Sequence, residues 1–146
     1  MISALPVTGR PRLNEQSLVL RVEYGAASFL LASDIPGAIE RALVADGVPL
    51  RATVLKVAHH GARDSSTASF LAAVSPTVAA LSVGARNPYR HPDPGALARL
   101  DAVGARVLRT DRDGALLFET DGRALSVTAW ASGTRERWCV DPETMC

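Results

Sequence analysis

The chain of 146 residues has the length of one domain, and a domain of this size buries roughly 70% of its unfolded surface. Hydrophobic residues make up 47% and charged residues 21%, which excludes a disordered polar chain. The net charge of +1 excludes strong attraction of the whole molecule to nucleic acid, but not a local basic patch. Cys139 and Cys146 lie so close together that a disulfide between them would close only a terminal loop.

The hydrophobic pattern predicts strands alternating with helices, and then strands alone. Strands are predicted over 1–7, 16–24, 28–33, 52–58, 76–83, 106–110, 115–120 and 124–130, and helices over 38–45, 67–74 and 92–104. Residues 8–15 are predicted as a loop, and Gly25 as the turn of a hairpin. Asp113-Gly114 and Asp121-Gly122 are predicted to join the last three strands as turns, with a frayed tail from Thr134. The order predicts an α/β sandwich.

Polar side chains follow two of the buried strands. Asp34 ends an apolar run, and it is either the N-cap of a helix starting at Pro36 or a metal ligand. His59 and His60 follow the strand over 52–58, and Gly61 permits a bend there. Imidazole is a ligand for zinc or manganese, although a loop pair bonded to water or backbone explains two adjacent histidines equally well.

The segment from Ser82 to Pro92 follows a third buried strand, which is where α/β folds place ligands. Its polar side chains suit phosphate oxygens, and they are Ser82, Arg86, Asn87, Arg90 and His91. A turn-rich connector with solvated arginines is the favoured alternative when the segment is taken alone. Arg109-Thr110-Asp111 is interpreted as part of a hairpin turn, and a reach of Arg109 into a site is the less favoured interpretation.

These elements occur in an order that resembles the metallo-β-lactamase-like domain of ComEC-type competence proteins, the DNA-uptake channels of bacteria. The resemblance covers about residues 2–130. It rests on NEQSL (14–18), FLLAS before Asp34, Glu40, KVAHHG (56–61), SVGARNPYRHP (82–92) and RTDRDG (109–114).

The resemblance implies the second half of a metallo-β-lactamase-like αββα sandwich over residues 1–130, with 131–146 as a flexible tail. It implies that Asp34 is a carboxylate bridging two metals and that His59 or His60 is a later ligand, with His59 favoured as the first residue past the strand. His91 is implied as a catalytic phosphate or leaving-group contact, alongside Asp34. Ser82, Arg86 and Asn87 are then expected to contact the substrate phosphate.

The family's activity is that of a metal-dependent nuclease, with two zinc or manganese ions in the complete domain and weak or no metal binding by this chain alone. The implied partners are DNA, the missing N-terminal half of the domain or the membrane channel, and a second copy through an exposed half-sandwich face. No apolar run approaches the roughly 18 residues that cross a bilayer. We therefore expect a soluble chain, which would lie on the extracytoplasmic side of a membrane if it is part of a full-length protein.

The chain also departs from the family pattern. The His-x-His-x-Asp-His ligand motif is absent. Ser33 stands where the family usually has glycine, Ala62 where it has serine, and Leu5 where a histidine often precedes proline. These departures favour a catalytically inactive binding module as one alternative. A hydrolase of small phosphodiesters is a second alternative, because the sequence does not separate DNA from small substrates. An exposed apolar face would favour the fragment of a larger domain, and a sealed polar face would favour the module.

Overall fold

Nine strands and four helices follow one another within residues 1–5 and 17–141, the part of the chain that the computed structural model describes. The strands are β1 (Ile2–Leu5), β2 (Val19–Tyr24), β3 (Ala27–Leu31), β4 (Val54–Lys56), β5 (Val78–Leu81), β6 (Arg106–Arg109), β7 (Leu116–Thr120), β8 (Ala124–Ala129) and β9 (Thr134–Cys139). The helices are α1 (Gly37–Ala45), α2 (Ala68–Val74), α3 (Pro94–Ala102) and α4 (Thr110–Asp113), and a 3₁₀ turn covers Ala58–Gly61. The predicted α/β class is confirmed.

Strands β1 to β6 form one sheet in chain order, and β7 to β9 form a second sheet. The pairs β1–β2 and β2–β3 are antiparallel, and Tyr24 pairs with Ala27 across the predicted hairpin turn at Gly25. The pairs from β3 to β6 are parallel, with α1, α2 and α3 lying between the strands in sequence. The carboxyl ends of β3, β4, β5 and β6 therefore lie at one edge of the first sheet.

Two hydrophobic cores hold these layers together. Alternate residues of a strand point to opposite faces, so Leu55 of β4 packs in the core that contains Phe70 of α2 and Leu100 of α3. Its neighbour Val54 packs on the other face, against Leu125 of the second sheet. The six-stranded sheet is thus covered by helices on one side and by the three-stranded sheet on the other.

The second sheet leaves part of this face open. The register places Ile2, Val22, Phe29 and Val54 in one cross-strand row, of which Phe29 and Val54 pack against the second sheet. Ile2 is 72% exposed, and Leu31 in the next row is 38% exposed. We call this surface on β1, β2 and the end of β3 the β1–β3 face; among the described residues it is apolar and partly exposed.

The prediction of a frayed tail from Thr134 is wrong for Thr134–Cys139. These residues form β9, which pairs with β8 across the predicted boundary at residue 130. Only alternate positions meet the core, where Trp138 packs beside Leu125, and the intervening arginines obscured the strand pattern. Cys139 is disulfide-bonded. Cys146, Pro6, the predicted loop over 8–15 and residues 14–16 of NEQSL lie outside the described residues.

The predicted turn at Asp113-Gly114 is also wrong, whereas that at Asp121-Gly122 joins β7 to β8 as expected. Strands β6 and β7 belong to different sheets, and α4 with Gly114 carries the chain from one to the other. Among residues 1–5 and 17–141, no helix combines the length and the apolar character needed to cross a membrane.

Candidate functional site

Four segments meet at the carboxyl edge of the six-stranded sheet because each follows one of its parallel strands. Asp34 follows β3, the histidine turn follows β4, the segment 82–92 follows β5, and Thr110 follows β6. This edge is where open α/β sheets place ligands. The fold therefore brings together side chains that are far apart in the sequence.

Asp34 faces His60. The His60 Nε2 lies 3.6 Å from Asp34 Oδ1, and the His60 Nδ1 lies 2.6 Å from the carbonyl oxygen of Ser82. Since a carbonyl can only accept, Nδ1 carries a proton, and Nε2 is the ring nitrogen that faces the carboxylate. A histidine held in this way through its second nitrogen is typical of metal ligands. Asp34 is not the helix cap, because α1 begins after Pro36 with no side-chain capping bond.

The turn after β4 separates the two histidines. His59 and His60 have left-handed φ values of 48° and 56°, so the strand alternation expected for adjacent residues does not apply. The His59 ring lies edge-on to the His91 ring at a centroid distance of 5.9 Å, and its Nδ1 is buried without a hydrogen-bond partner among the described residues. The structure thus turns His60, rather than the favoured His59, toward Asp34.

Left-handed backbone is concentrated around this edge. Besides the two histidines, Ser33 has φ 51° and Arg90 has φ 57°. Non-glycine residues in this region cost free energy and cluster at functional sites. The Ser33 carbonyl accepts from the His59 N–H at 3.0 Å, which joins the loop after β3 to the histidine turn. Glycine adopts this conformation without strain, so Ser33 occupies a position that suits glycine better.

The segment after β5 is closed by Asn87. Its Nδ2 donates to the carbonyls of Gly84 and His91, and its Oδ1 accepts from the His91 N–H. Both amide hydrogens are used, which favours a role in shaping the loop over the expected phosphate contact. Ser82 contributes its carbonyl to His60, and the Arg86 side chain is exposed.

A cavity of about 420 Å³ opens at this edge, and Tyr89 stacks on His91 at its rim. The lining comprises His60, Ser82, Val83, Gly84, Asn87, Tyr89, His91 and Thr110. Of the four positions that the sequence placed in catalytic or metal-binding roles, this lining contains His60 and His91, whereas Asp34 and His59 are not part of it.

The sequence pointed less clearly to Lys56 and Thr110. Lys56 is the only lysine of the chain, and burial lowers its pKa although the nearby Asp34 carboxylate opposes this change. In the sequence, Lys56 could have been noticed as a charged residue near the end of the predicted buried strand over 52–58. Thr110 Oγ1 bonds both the N–H and the carbonyl of Val83 at 2.8 Å, which ties the loop after β5 to β6. Arg109 does not reach the cavity, because its guanidinium pairs with both carboxylate oxygens of Asp111.

Asp34 and His60 fit part of a metal site. They offer a carboxylate oxygen and an imidazole nitrogen, which suit zinc or manganese. Within residues 1–5 and 17–141, no group of three or more histidine, cysteine, aspartate or glutamate residues could hold a metal ion. A closed site would need further ligands, because structural and catalytic zinc sites use at least three from protein.

The chain is similar to segments of several longer bacterial proteins. It is 43% identical over 106 residues to competence protein ComA of Neisseria gonorrhoeae, covering 72% of this chain and 15% of that protein. It is 36% identical over 110 residues to ComE operon protein 3 of Bacillus subtilis, covering 75% of this chain and 14% of that protein. Recombination protein 2 of Haemophilus influenzae is 32% identical over 97 residues, covering 66% of this chain and 12% of that protein.

No protein-family profile matches the chain. The chain spans about one seventh of the length of the first two relatives, so the similarity concerns one segment of each. These similarities support a relationship between this chain and a segment of the bacterial competence proteins.

Proposed function

We propose that this chain forms part of a metal-dependent phosphodiesterase domain that acts on DNA during bacterial DNA uptake. The names of the relatives, two of them from competence systems, support the link to DNA uptake. The observation that carries the enzymatic part is the Asp34–His60 pair, with His60 anchored on the Ser82 carbonyl. The corresponding fold is the second half of a metallo-β-lactamase-like sandwich, and the open β1–β3 face supports a missing half that packs there.

Each residue of the edge has a role in this proposal. Asp34 and His60 would hold a divalent cation, which when bound supplies a Lewis acid and lowers the pKa of a bound water. Ser82 keeps the Nδ1 proton of His60 in place, so that Nε2 stays available as a donor atom. His91 borders the same cavity and would contact a phosphate oxygen or the leaving group. In the longer protein, the domain would lie on the extracytoplasmic side of a membrane.

The test supplies the remaining ligands. The chain is combined with the segment that precedes the matching region of the gonococcal relative, and manganese- or zinc-dependent cleavage of labelled DNA is measured. Asp34→Asn should reduce cleavage by more than the roughly 10–100-fold typical of an outer-shell partner of a metal ligand. Asp101→Asn, on the exposed surface of α3, is the matched control. Cleavage that is unchanged by Asp34→Asn would refute the assigned role.

A binding module without catalysis is the second candidate. It is favoured by the lack of a three-ligand cluster among the described residues. Under this alternative, neither manganese nor zinc raises the melting temperature of the combined protein, and chelators have no effect. Under the main proposal, metal raises the melting temperature and Asp34→Asn removes the increase, since a ligand that binds only the folded state stabilises it. A parallel assay with a small chromogenic phosphodiester separates DNA from small substrates.

A further inference from the structure

A second cavity, of about 570 Å³, has three arginines among its lining residues. Its walls come from the start of α1, from residues 63–68 and from α3, and the cations are Arg41, Arg63 and Arg99. Its loops are the continuations of those that carry Asp34 and His60. Pro36 is two residues beyond Asp34, a chain distance of at most about 7 Å.

The two loops touch at Gly37. Its N–H donates to the Asp64 carbonyl at 2.9 Å, and a methyl group on Gly37 would come within 2.3 Å of that oxygen. The same methyl group would come within 3.3 Å of a terminal nitrogen of Arg41, so this guanidinium lies over the cavity wall. Gly37 is thus required for the close approach that forms the cavity.

The arginines differ in what they already bind. Arg99 is held by the backbone, since its Nε and one terminal nitrogen donate to the carbonyls of Ser66, Ser65 and Arg63. Arg41 and Arg63 make no hydrogen bond or ion pair through their side chains with any residue in the described ranges 1–5 and 17–141. Arg63 and Arg41 are exposed, so two guanidinium groups with all their donors available stand at the cavity mouth.

The charge of the cavity is positive. Three guanidinium groups face one carboxylate, that of Asp64, which leaves two net positive charges among the lining residues. Glu40 lies beneath and is fully buried, with its two oxygens accepting from the N–H groups of Ser66 and Thr67. Since guanidinium groups bind phosphate oxygens through paired N–H donors, the chemistry suits a phosphate monoanion or diester.

We propose that this cavity binds a phosphate of the DNA backbone next to the phosphodiester at the Asp34–His60 edge. The choice of DNA as the source of the phosphate rests on the proposed function, whereas the anion site itself rests on the arginines. A DNA strand bound at the candidate site would reach the cavity along the two loops that carry Asp34 and His60. Arg41 and Arg63 provide the contacts, and Arg99 keeps the wall of the cavity in shape.

The test measures affinity for a fluorescein-labelled single-stranded oligothymidylate by anisotropy, in the presence of a chelator and over a series of salt concentrations. Replacing both phosphate-binding side chains, with Arg41→Ala and Arg63→Ala, should weaken binding at least about tenfold at low salt. It should also lower the slope of log affinity against log salt by about 0.7 for each arginine replaced. The matched control replaces Arg51 and Arg123, which are exposed on other parts of the chain.

The outcomes are distinct. An equal reduction of affinity in the cavity variant and the control would mean a general effect of charge and would overturn the proposal. Inorganic phosphate is also added at a concentration equal to that of the nucleotide phosphates in the oligonucleotide. If it then displaces the oligonucleotide, the cavity is a small-anion site, and the assignment to DNA is overturned. Affinity is measured without metal and cleavage with it, so the anion site and the proposed hydrolysis can fail separately. Circular dichroism of each variant confirms that it is folded.

Discussion

At the scale of single residues, the site is shaped by backbone that most side chains avoid. Ser33 adopts φ 51° immediately before Asp34, and its carbonyl holds the histidine turn. The resemblance implied a glycine at this position, but the sequence did not show what backbone conformation the serine adopts there. In the structure the backbone of Ser33 is left-handed, and its carbonyl accepts from the His59 N–H.

Replacing Ser33 with glycine should therefore stabilise the chain. A left-handed non-glycine residue costs on the order of 1 kcal/mol, and glycine removes that cost without a new contact. We expect the free energy of unfolding in urea to rise by about that amount. The same substitution at Ser69, on the exposed side of α2, should lower it instead, since glycine is a poor helix former. If Ser33→Gly lowers the free energy of unfolding, the left-handed backbone at Ser33 does not carry this cost.

At the scale of elements, α2 is capped by a carboxylate from another helix. The serines before it do not cap it, because Thr67 holds the N-cap position and makes no side-chain capping bond. Ser65 Oγ instead donates to the carbonyls of Ala58 and Ala62. Glu40 of α1 accepts from the N–H groups of Ser66 and Thr67 at 2.6 and 2.7 Å. A partner 26 residues away thus replaces a local cap, which no local pattern indicates.

The buried carboxyl of Glu40 makes stability depend on pH. Burial raises its pKa above 4.5, against the lowering effect of the two N–H donors and Arg99. Since the folded state binds this proton more tightly, its contribution is complete below 4.5 and is lost as pH rises through the raised pKa.

The advantage of the unsubstituted chain over Glu40→Gln should therefore shrink as pH rises from 4.5 toward neutrality. The slope within that window is at most about 1.4 kcal/mol per pH unit. Urea unfolding of both proteins across the window measures it, with Glu119→Gln as a surface control that removes the same charge. An advantage that grows with pH would show that the pKa is lowered instead.

At the scale of the whole molecule, the helices and the second sheet cover the two faces of the first sheet to different extents. The helices cover the first sheet along its inner strands, but the second sheet covers only the side of β3 to β6. Leu125 is fully buried between the sheets, whereas Ile2 on the same face of the first sheet is 72% exposed. Residues on this face of the first sheet should therefore contribute unequally to the free energy of unfolding, with the larger contributions under the second sheet.

Alanine substitutions should reveal this difference. Leu125→Ala should lower the free energy of unfolding by about 2–5 kcal/mol, because it leaves a cavity between the sheets. Ile2→Ala should change it by no more than about 0.5 kcal/mol, as is usual for exposed positions. Denaturation curves of the two variants measure both values. A large destabilisation by Ile2→Ala would mean that the β1–β3 face is covered in solution.

The residues that end the buried strands were readable from the sequence. Hydrophobic runs followed by Asp34, by His59 and His60, and by the segment before His91 are local patterns, and parallel strands bring such ends to one edge. The α/β class and the hairpin at Gly25 follow from the same short-range periodicity. Strand β9 was missed because its exposed positions carry charge.

Tertiary structure alone decided how those residues meet. The carbonyl that orients His60 lies 22 residues away at Ser82, and the carboxylate that accepts from the Ser66 N–H lies 26 residues away at Glu40. The arginine cavity joins α1, α3 and the loop after the histidine turn. Each of these features depends on distances between segments, and hydrophobic periodicity reports only which face of a single element is buried.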